Sequence, residues 1–359
     1  MKILTVVGAR PQFIKASMLS MAFHKHPQIE EMIVHTGQHY DYNMSEIFFE
    51  QLKLPKADYH LETGSGSHGE QTGKMLIELE KLMISVQPDI VVVFGDTNST
   101  VSGSLAAAKL HIPIAHVEAG LRSFNKKMPE EINRIITDHL SEFLFCPTET
   151  AVENLKREGV GKGVHHTGDI MYDTLTYFKP YALEHSSVLE DLKLKKQDYY
   201  LTTVHRAENT DDYARLKQIF NAIHKLDKNV VIPLHPRTKN KLIEFKLSDM
   251  LSLPHIKLVE PLNYFDMLVL ASNARAILTD SGGLQKEAYM LQVPCITLRD
   301  ETEWVETVES GWNHVIGANT QAILAAISKL KKPKQYPLLY REGTADKIAN
   351  ILLKRQWNK

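Results

Sequence analysis

The stretch ILTDSGGLQKEA, Ile277 to Ala288, reads as a short apolar strand, an acidic and hydroxylic turn, two glycines and then a helix. A helix N-terminus presents unpaired N–H groups and a partial positive charge, so a glycine pair there lets an anion, most often a phosphate, approach the backbone. The same letters also describe a plain tight strand-to-helix turn. The rest of the chain must decide between the two.

Outward from this stretch, short β-branched runs alternate with segments of helical period. ILTVV (3–7), MIVHT (32–36), IVVVF (90–94), PIAHV (113–117) and FLFC (143–146) read as strands buried on both faces, the signature of a parallel sheet. Helical stretches fall near 11–26, 44–52, 70–86, 98–110, 130–141 and 149–158. A charged, irregular region near 160–198 follows, and the pattern restarts with YYLTTV (199–204), VVIPLH (230–235), IKLVE (256–260), AILT (276–279) and PCITL (294–298). Helices are expected there near 212–226, 263–272, 283–291 and 319–331. Two such runs predict an α/β protein of two doubly wound, Rossmann-like domains with a cleft between them, 1–170 and 171–343. Periodicity alone does not assign the last helical stretch, from 344, to either domain.

Composition narrows the partners. With 43% hydrophobic and 24% charged residues, the 359-residue chain has material for two cores. A net charge of -1 and no basic stripe speak against nucleic acid or an anionic membrane surface. Cys146 and Cys295, without a CxxC neighbour, read as reduced, buried residues of a cytoplasmic protein. The first apolar run stops at Gly8, too short for a signal segment, and no later run approaches the ~18 residues of a membrane span. His165-His166 lacks further spaced ligands, so no metal is expected. No GxGxxG follows the first strand, so no nicotinamide is expected either.

In open parallel sheets ligands bind outside the carboxyl ends of the strands. Those ends carry Arg10 and, a turn on, Lys15; Asp96; Glu118; His205; and Ser281, Gly282 and Gly283. Cations and carboxylates from two sheets suit a substrate with a phosphorylated end and a reacting end. Simpler readings compete for several of them. Arg10 beside Pro11 also fits an exposed charge, and Asp96 before Thr97 fits a helix N-cap. Glu118 fits an ion pair with Arg122, and Glu130 and Glu131 in the first turn of a helix fit a favourable dipole interaction.

Eight ordered motifs, GARPQFIK (8–15), GDTNST (95–100), HVEAGLRS (116–123), PEEINR (129–134), CPTE (146–149), TGD (167–169), HRAEN (205–209) and LTDSGGLQKEA (278–288), resemble the non-hydrolysing UDP-N-acetylglucosamine 2-epimerases over nearly the whole chain. The resemblance implies a GT-B-like fold, UDP held mainly by the second domain, and a final helix, 344–359, packed back on the first. It also implies a homodimer, a UDP-sugar as the only partner, and a role in supplying surface polysaccharide. By matching positions it assigns UDP-sugar binding or catalysis to Arg10, Lys15, Asp96, Glu118, His205, Ser281, Gly282, Gly283 and Glu287, and makes Glu130 a further catalytic acid. Gln38 and the 66–72 segment fall near where some relatives bind an activating UDP-sugar.

The reaction implied is anti elimination of UDP to a 2-acetamidoglucal, then re-addition on the other face. The C2 hydrogen of an N-acetylhexosamine is not acidic, so C1–O cleavage runs ahead and the departing UDP is what the protein must stabilise. The Ser281–Gly283 amides, Arg10 and His205 would face the diphosphate, and Glu287 the ribose. Asp96, Glu118 and Glu130 would exchange protons on the two faces of C2, neighbouring like charges raising at least one of them toward working range. Two features depart from the best-known members: Trp304 stands where they carry an arginine, and Met267 where they carry an aromatic residue. Both favour the branch acting on modified UDP-sugars such as UDP-2,3-diacetamido-glucuronate. A GT-B glycosyltransferase, a hydrolysing epimerase and a non-catalytic nucleotide-sugar sensor are the remaining alternatives.

Overall fold

The computed structural model describes residues 1–38, 52, 54–64 and 66–355. Two compact units form: Met1–Thr174 with Leu339–Lys359, and Leu175–Leu338. The helix expected over 44–52 lies outside the described residues except for Leu52, as do the last four residues of 344–359.

In the first unit, β1 (Lys2–Val7), β2 (Glu30–His35), β3 (Tyr59–His60), β4 (Ile90–Phe94), β5 (Ile114–Val117), β6 (Phe143–Cys146) and β7 (Val164–His166) form one sheet. Their order is β3-β2-β1-β4-β5-β6-β7 and every pairing is parallel. All five residues of β4, IVVVF, are buried. Branched and aromatic side chains suit a strand covered on both faces, and Gly95 at φ +61° ends it. The His68–Val86 helix starts at Ser67, whose side chain accepts from Glu70 N, and lays Met75, Leu79 and Leu82 against Leu4, Val34 and Val91.

The Thr344–Lys354 helix belongs to this unit. Ile348, Ala349 and Leu352 are buried, and Lys25 Nζ lies 2.8 Å from Asp346. The Asp173 carboxylate accepts from Gly343 N and Ala345 N, each at 2.8 Å, and so serves as a borrowed cap for the first turn.

The second unit repeats the scheme with β8 (Tyr199–Thr203), β9 (Asn229–Pro233), β10 (Ile256–Val259), β11 (Ala276–Thr279), β12 (Cys295–Thr297) and β13 (Asn313–Val315). The order is β10-β9-β8-β11-β12-β13, again parallel throughout. Leu216, Phe220 and Ile223 of the Tyr213–His224 helix pack on Val230, Ile232, Leu278 and Ile296. Each sheet reverses its strand order once at a central pair, β1/β4 and β8/β11, which opens a crevice at the carboxyl ends of those strands.

The region 160–198 is not irregular. It holds β7 and the helices Ile170–His185 and Val188–Asp191. β7, β3 and β13 escaped notice because each has only two or three residues and includes a histidine, too little for a periodicity signal. The Pro236–Glu244 helix was also missed, although Pro236 in its first turn is a start signal.

Candidate active site

At the first unit's reversal point, β1 runs into Gly8. A methyl group there would stand 2.0 Å from Thr36 Oγ1 and 2.2 Å from Ser99 Oγ, so no larger residue fits. Gln12, in the first turn of the Arg10–Phe23 helix, ties the β1 and β4 turns together. Its Oε1 accepts from Gly8 N at 2.8 Å and Ala9 N at 3.0 Å, while its Nε2 donates to Phe94 O at 3.0 Å and Thr97 Oγ1 at 2.9 Å. An amide is required because both a donor and an acceptor are used.

Asp96 follows Gly95 but does not cap the next helix. Thr97 does, its side chain accepting from Thr100 N. Asp96 is left to pair with Arg134 NH2, while Asn133 Nδ2 donates to its carbonyl at 2.9 Å. Arg134 also reaches Glu131 Oε2 at 3.1 Å, and Glu131 accepts from Ser123 N and Phe124 N at 2.9 Å each. The two adjacent acids are thereby separated: Glu131 is a buried brace, and Glu130 is half-buried on the first turn of the Pro129–Leu140 helix.

Glu118 stands at the end of β5 with φ +75°, a left-handed conformation that a non-glycine residue adopts at a cost. The ion pair with Arg122, the simpler reading of Glu118, is not formed. Lys15 Nζ lies 2.5 Å from Glu118 Oε1, and Arg122 instead meets Asp138 at 2.7 Å and Glu158 through a two-bond fork at 2.7 and 2.6 Å. A methyl group on Gly95 would stand 3.3 Å from Lys15 Nζ and 3.4 Å from Glu118 Oε1. The structure therefore brings Lys15 and Glu118 together against the residue that precedes Asp96. A cation rests on each of the two carboxylates, a different arrangement from the mutual repulsion expected. Arg10 is half-buried at the head of its helix.

Gln38, expected near an activator, accepts from Ser99 N at 3.0 Å and Ser99 Oγ at 2.7 Å. Gln71, in the 66–72 segment, accepts from Asn98 Nδ2 at 2.9 Å. Both brace the start of the Asn98–Lys109 helix.

In the second unit the buried Asp280 organises the β8 and β11 ends. It accepts from His205 N at 3.0 Å, Arg206 N at 3.0 Å and Asn209 Nδ2 at 3.1 Å, and the His205 Nδ1 lies 3.3 Å from it. Ser281 caps the Gly282–Met290 helix, on which Glu287 is half-buried. The two glycines differ. A methyl group on Gly282 would stand 2.2 Å from Glu303 Oε1, whereas the nearest atom to one on Gly283 is Ser281 Oγ at 4.0 Å. The crowding that excludes a side chain at Gly282 is thus internal, from a carboxylate held by Arg299 at 2.9 Å, and only Gly283 faces open space. Trp304 is 2% exposed beneath Lys286, whose Nζ lies 4.5 Å from the ring centroid. Met267 is half-buried on the Tyr264–Asn273 helix.

Electrostatics separate framework from working groups. Burial pushes Asp138 up, but hydrogen bonds and charges from His116 and Arg122 outweigh it and hold the carboxyl below its ordinary value. Burial raises both thiols, Cys295 to about 12, so neither is a ready nucleophile. Among the described residues no group of His, Cys, Asp or Glu is arranged to hold a metal, and no helix is long and apolar enough to cross a membrane.

A family model described as UDP-N-acetylglucosamine 2-epimerase matches residues 21–353. A protein of Methanococcus maripaludis named as a homolog of that enzyme is 50% identical over 98% of this chain and 99% of its own. The UDP-2,3-diacetamido-2,3-dideoxy-D-glucuronate 2-epimerase of Pseudomonas aeruginosa is 48% identical, covering 99% of this chain and 100% of that one. Among solved structures, the Methanocaldococcus jannaschii UDP-GlcNAc 2-epimerase in complex with UDP-GlcNAc and UDP superposes with a TM-score of 0.93 at 46% identity, covering 98% of this chain and 99% of that one.

Proposed function

The chain belongs to the UDP-N-acetylglucosamine 2-epimerase family, and on that premise we propose that it interconverts UDP-GlcNAc and UDP-ManNAc by inverting C2. The observation that carries this reading is the trio of Glu118 and Asp96 after β5 and β4 and Lys15 on the helix that follows β1, with Lys15 and Glu118 packed against Gly95. Two carboxylates, each kept ionised by the cation on it, are placed to accept a proton at C2. Glu130 is the third acid of the proposal.

UDP is held mainly by the second unit: the Gly283 end of the turn and His205 on the diphosphate, Glu287 on the ribose, with Arg10 as a further diphosphate contact, while the Ser281 amide is already taken by Thr279 Oγ1 at 2.9 Å. The open face at Gly283 supports this placement. C1–O cleavage leads, giving UDP and a 2-acetamidoglucal after loss of the C2 proton; protonation of C2 from the other face and re-addition of UDP complete the inversion. The same proposal makes the protein a cytoplasmic homodimer that supplies surface polysaccharide precursors.

A second reading, C2 inversion of UDP-2,3-diacetamido-2,3-dideoxy-glucuronate, is favoured by the buried Trp304 in place of an arginine and by the 48% identity to the Pseudomonas aeruginosa enzyme. Incubation with each UDP-sugar separately, followed by ¹H NMR of the anomeric region, tests both. A new UDP-bound epimer without any acceptor supports epimerisation; free sugar and UDP would indicate hydrolysis, and no change with either sugar would refute the proposal.

A further inference from the structure

His116 lies on β5, two residues before Glu118, with no exposed surface. Its Nε2 is 2.7 Å from Gly95 O and its Nδ1 is 2.7 Å from Asp138 Oδ1. A peptide carbonyl has no proton to give, so Nε2 must carry one. Asp138 already accepts from Arg122 NH1 at 2.7 Å and Gly120 N at 3.1 Å, and the buried guanidinium against it keeps it a carboxylate. Its contact with Nδ1 therefore needs a second ring proton.

From these contacts we infer that His116 is a standing imidazolium that positions the Asp96 turn. It closes a line of alternating charge: Glu158, Arg122, Asp138, His116. Glu158 reaches solvent, but Arg122, Asp138 and His116 do not, and a ring without a proton on Nδ1 would set an acceptor against the buried Asp138 Oδ1, a costly arrangement away from water. The other titratable groups around it are Cys146, whose thiol burial keeps protonated, and Asp96, Glu118 and Lys15 at the strand ends. What the imidazolium grips is the carbonyl of Gly95, the left-handed residue whose N donates to Val117 O at 3.0 Å and whose next neighbour is Asp96. His116 thus acts through Asp96 rather than on substrate, and the functional part of the inference rests on the epimerase reading.

The test is ¹⁵N NMR of ring-labelled full-length protein, the His116 ring being assigned through its own backbone amide. Both ring nitrogens are expected at protonated-type shifts at about pH 7, as the two acceptors facing them require. One unprotonated ring nitrogen at about pH 7 would overturn the inference. His116→Gln keeps a donor for Gly95 O but not the charge, and is expected to lose about tenfold to a hundredfold in kcat with KM nearly unchanged. Wild-type kcat in that variant would also overturn it. An inactive wild-type chain would refute the epimerase reading instead and leave the ring measurement standing.

Discussion

Lys15 Nζ lies 2.5 Å from Glu118 Oε1, with the two side chains only 8% and 10% exposed. Lys15 thus compensates a carboxylate that β5 delivers in a strained backbone conformation at φ +75°. Removing either partner takes from the other the opposite charge it faces. Lys15→Met and Glu118→Gln are each expected to lower stability by about 2 to 4 kcal/mol, and the double variant by clearly less than their sum. Urea denaturation of the four proteins checks this; additive losses would show that the pair is not coupled.

The Gly282 and Gly283 substitutions should part company. Gly282→Ala drives a methyl group to 2.2 Å from Glu303 Oε1 and is expected to cost about 1 to 3 kcal/mol of stability. Gly283→Ala meets nothing within the protein closer than 4.0 Å, so its urea midpoint should hold or rise while UDP affinity falls about tenfold, near 1.4 kcal/mol. Unchanged UDP affinity in Gly283→Ala, by calorimetry, would remove the diphosphate from that turn.

Asp138 sets an acid limb of stability. Its folded carboxyl is depressed by His116 and Arg122, so its contribution is fully present above the unfolded value and disappears as pH falls through the folded one. Asp138→Asn should be less stable than wild type at neutral pH by about 3 kcal/mol, the cost of a broken buried pair. That gap should narrow as pH falls below the ordinary carboxylate range. Urea midpoints across that range decide the matter, and a gap independent of pH would contradict it.

Arg134 joins Asp96 to the buried brace Glu131. Arg134→Lys loses the planar fork that serves both carboxylates, and kcat is expected to fall about tenfold or more while UDP affinity, for which the proposal uses other residues, stays put. Steady-state kinetics paired with UDP titration separates the two; a parallel loss of UDP binding would assign Arg134 a different role.

Strands that are apolar or nearly so were legible in the sequence: IVVVF and ILTVV declare a covered parallel sheet by composition alone. β7, VHH, was not, because three residues carry no period. At the site, Asp96 and Glu118 stood out as acids at strand ends. What they touch did not, since Lys15 lies 103 residues from Glu118 and Arg134 lies 38 from Asp96. Such pairings come from sheet order, which a single sequence encodes only through long-range packing. Gln12 reads as an ordinary helix residue although it uses both ends of its amide, and the Glu303 carboxylate packed against Gly282 lies well along the chain, out of reach of any local pattern.

The most direct test of proton exchange at C2 is incubation with UDP-GlcNAc in D₂O, without acceptor, for wild type and for Asp96→Asn, Glu118→Gln and Glu130→Gln. Wild type should replace the C2 hydrogen with deuterium while forming the epimer, and each variant should lose most of that exchange with UDP affinity retained. Epimer formed with C2 hydrogen retained, or near-normal exchange in all three variants, would contradict the assignment of these acids.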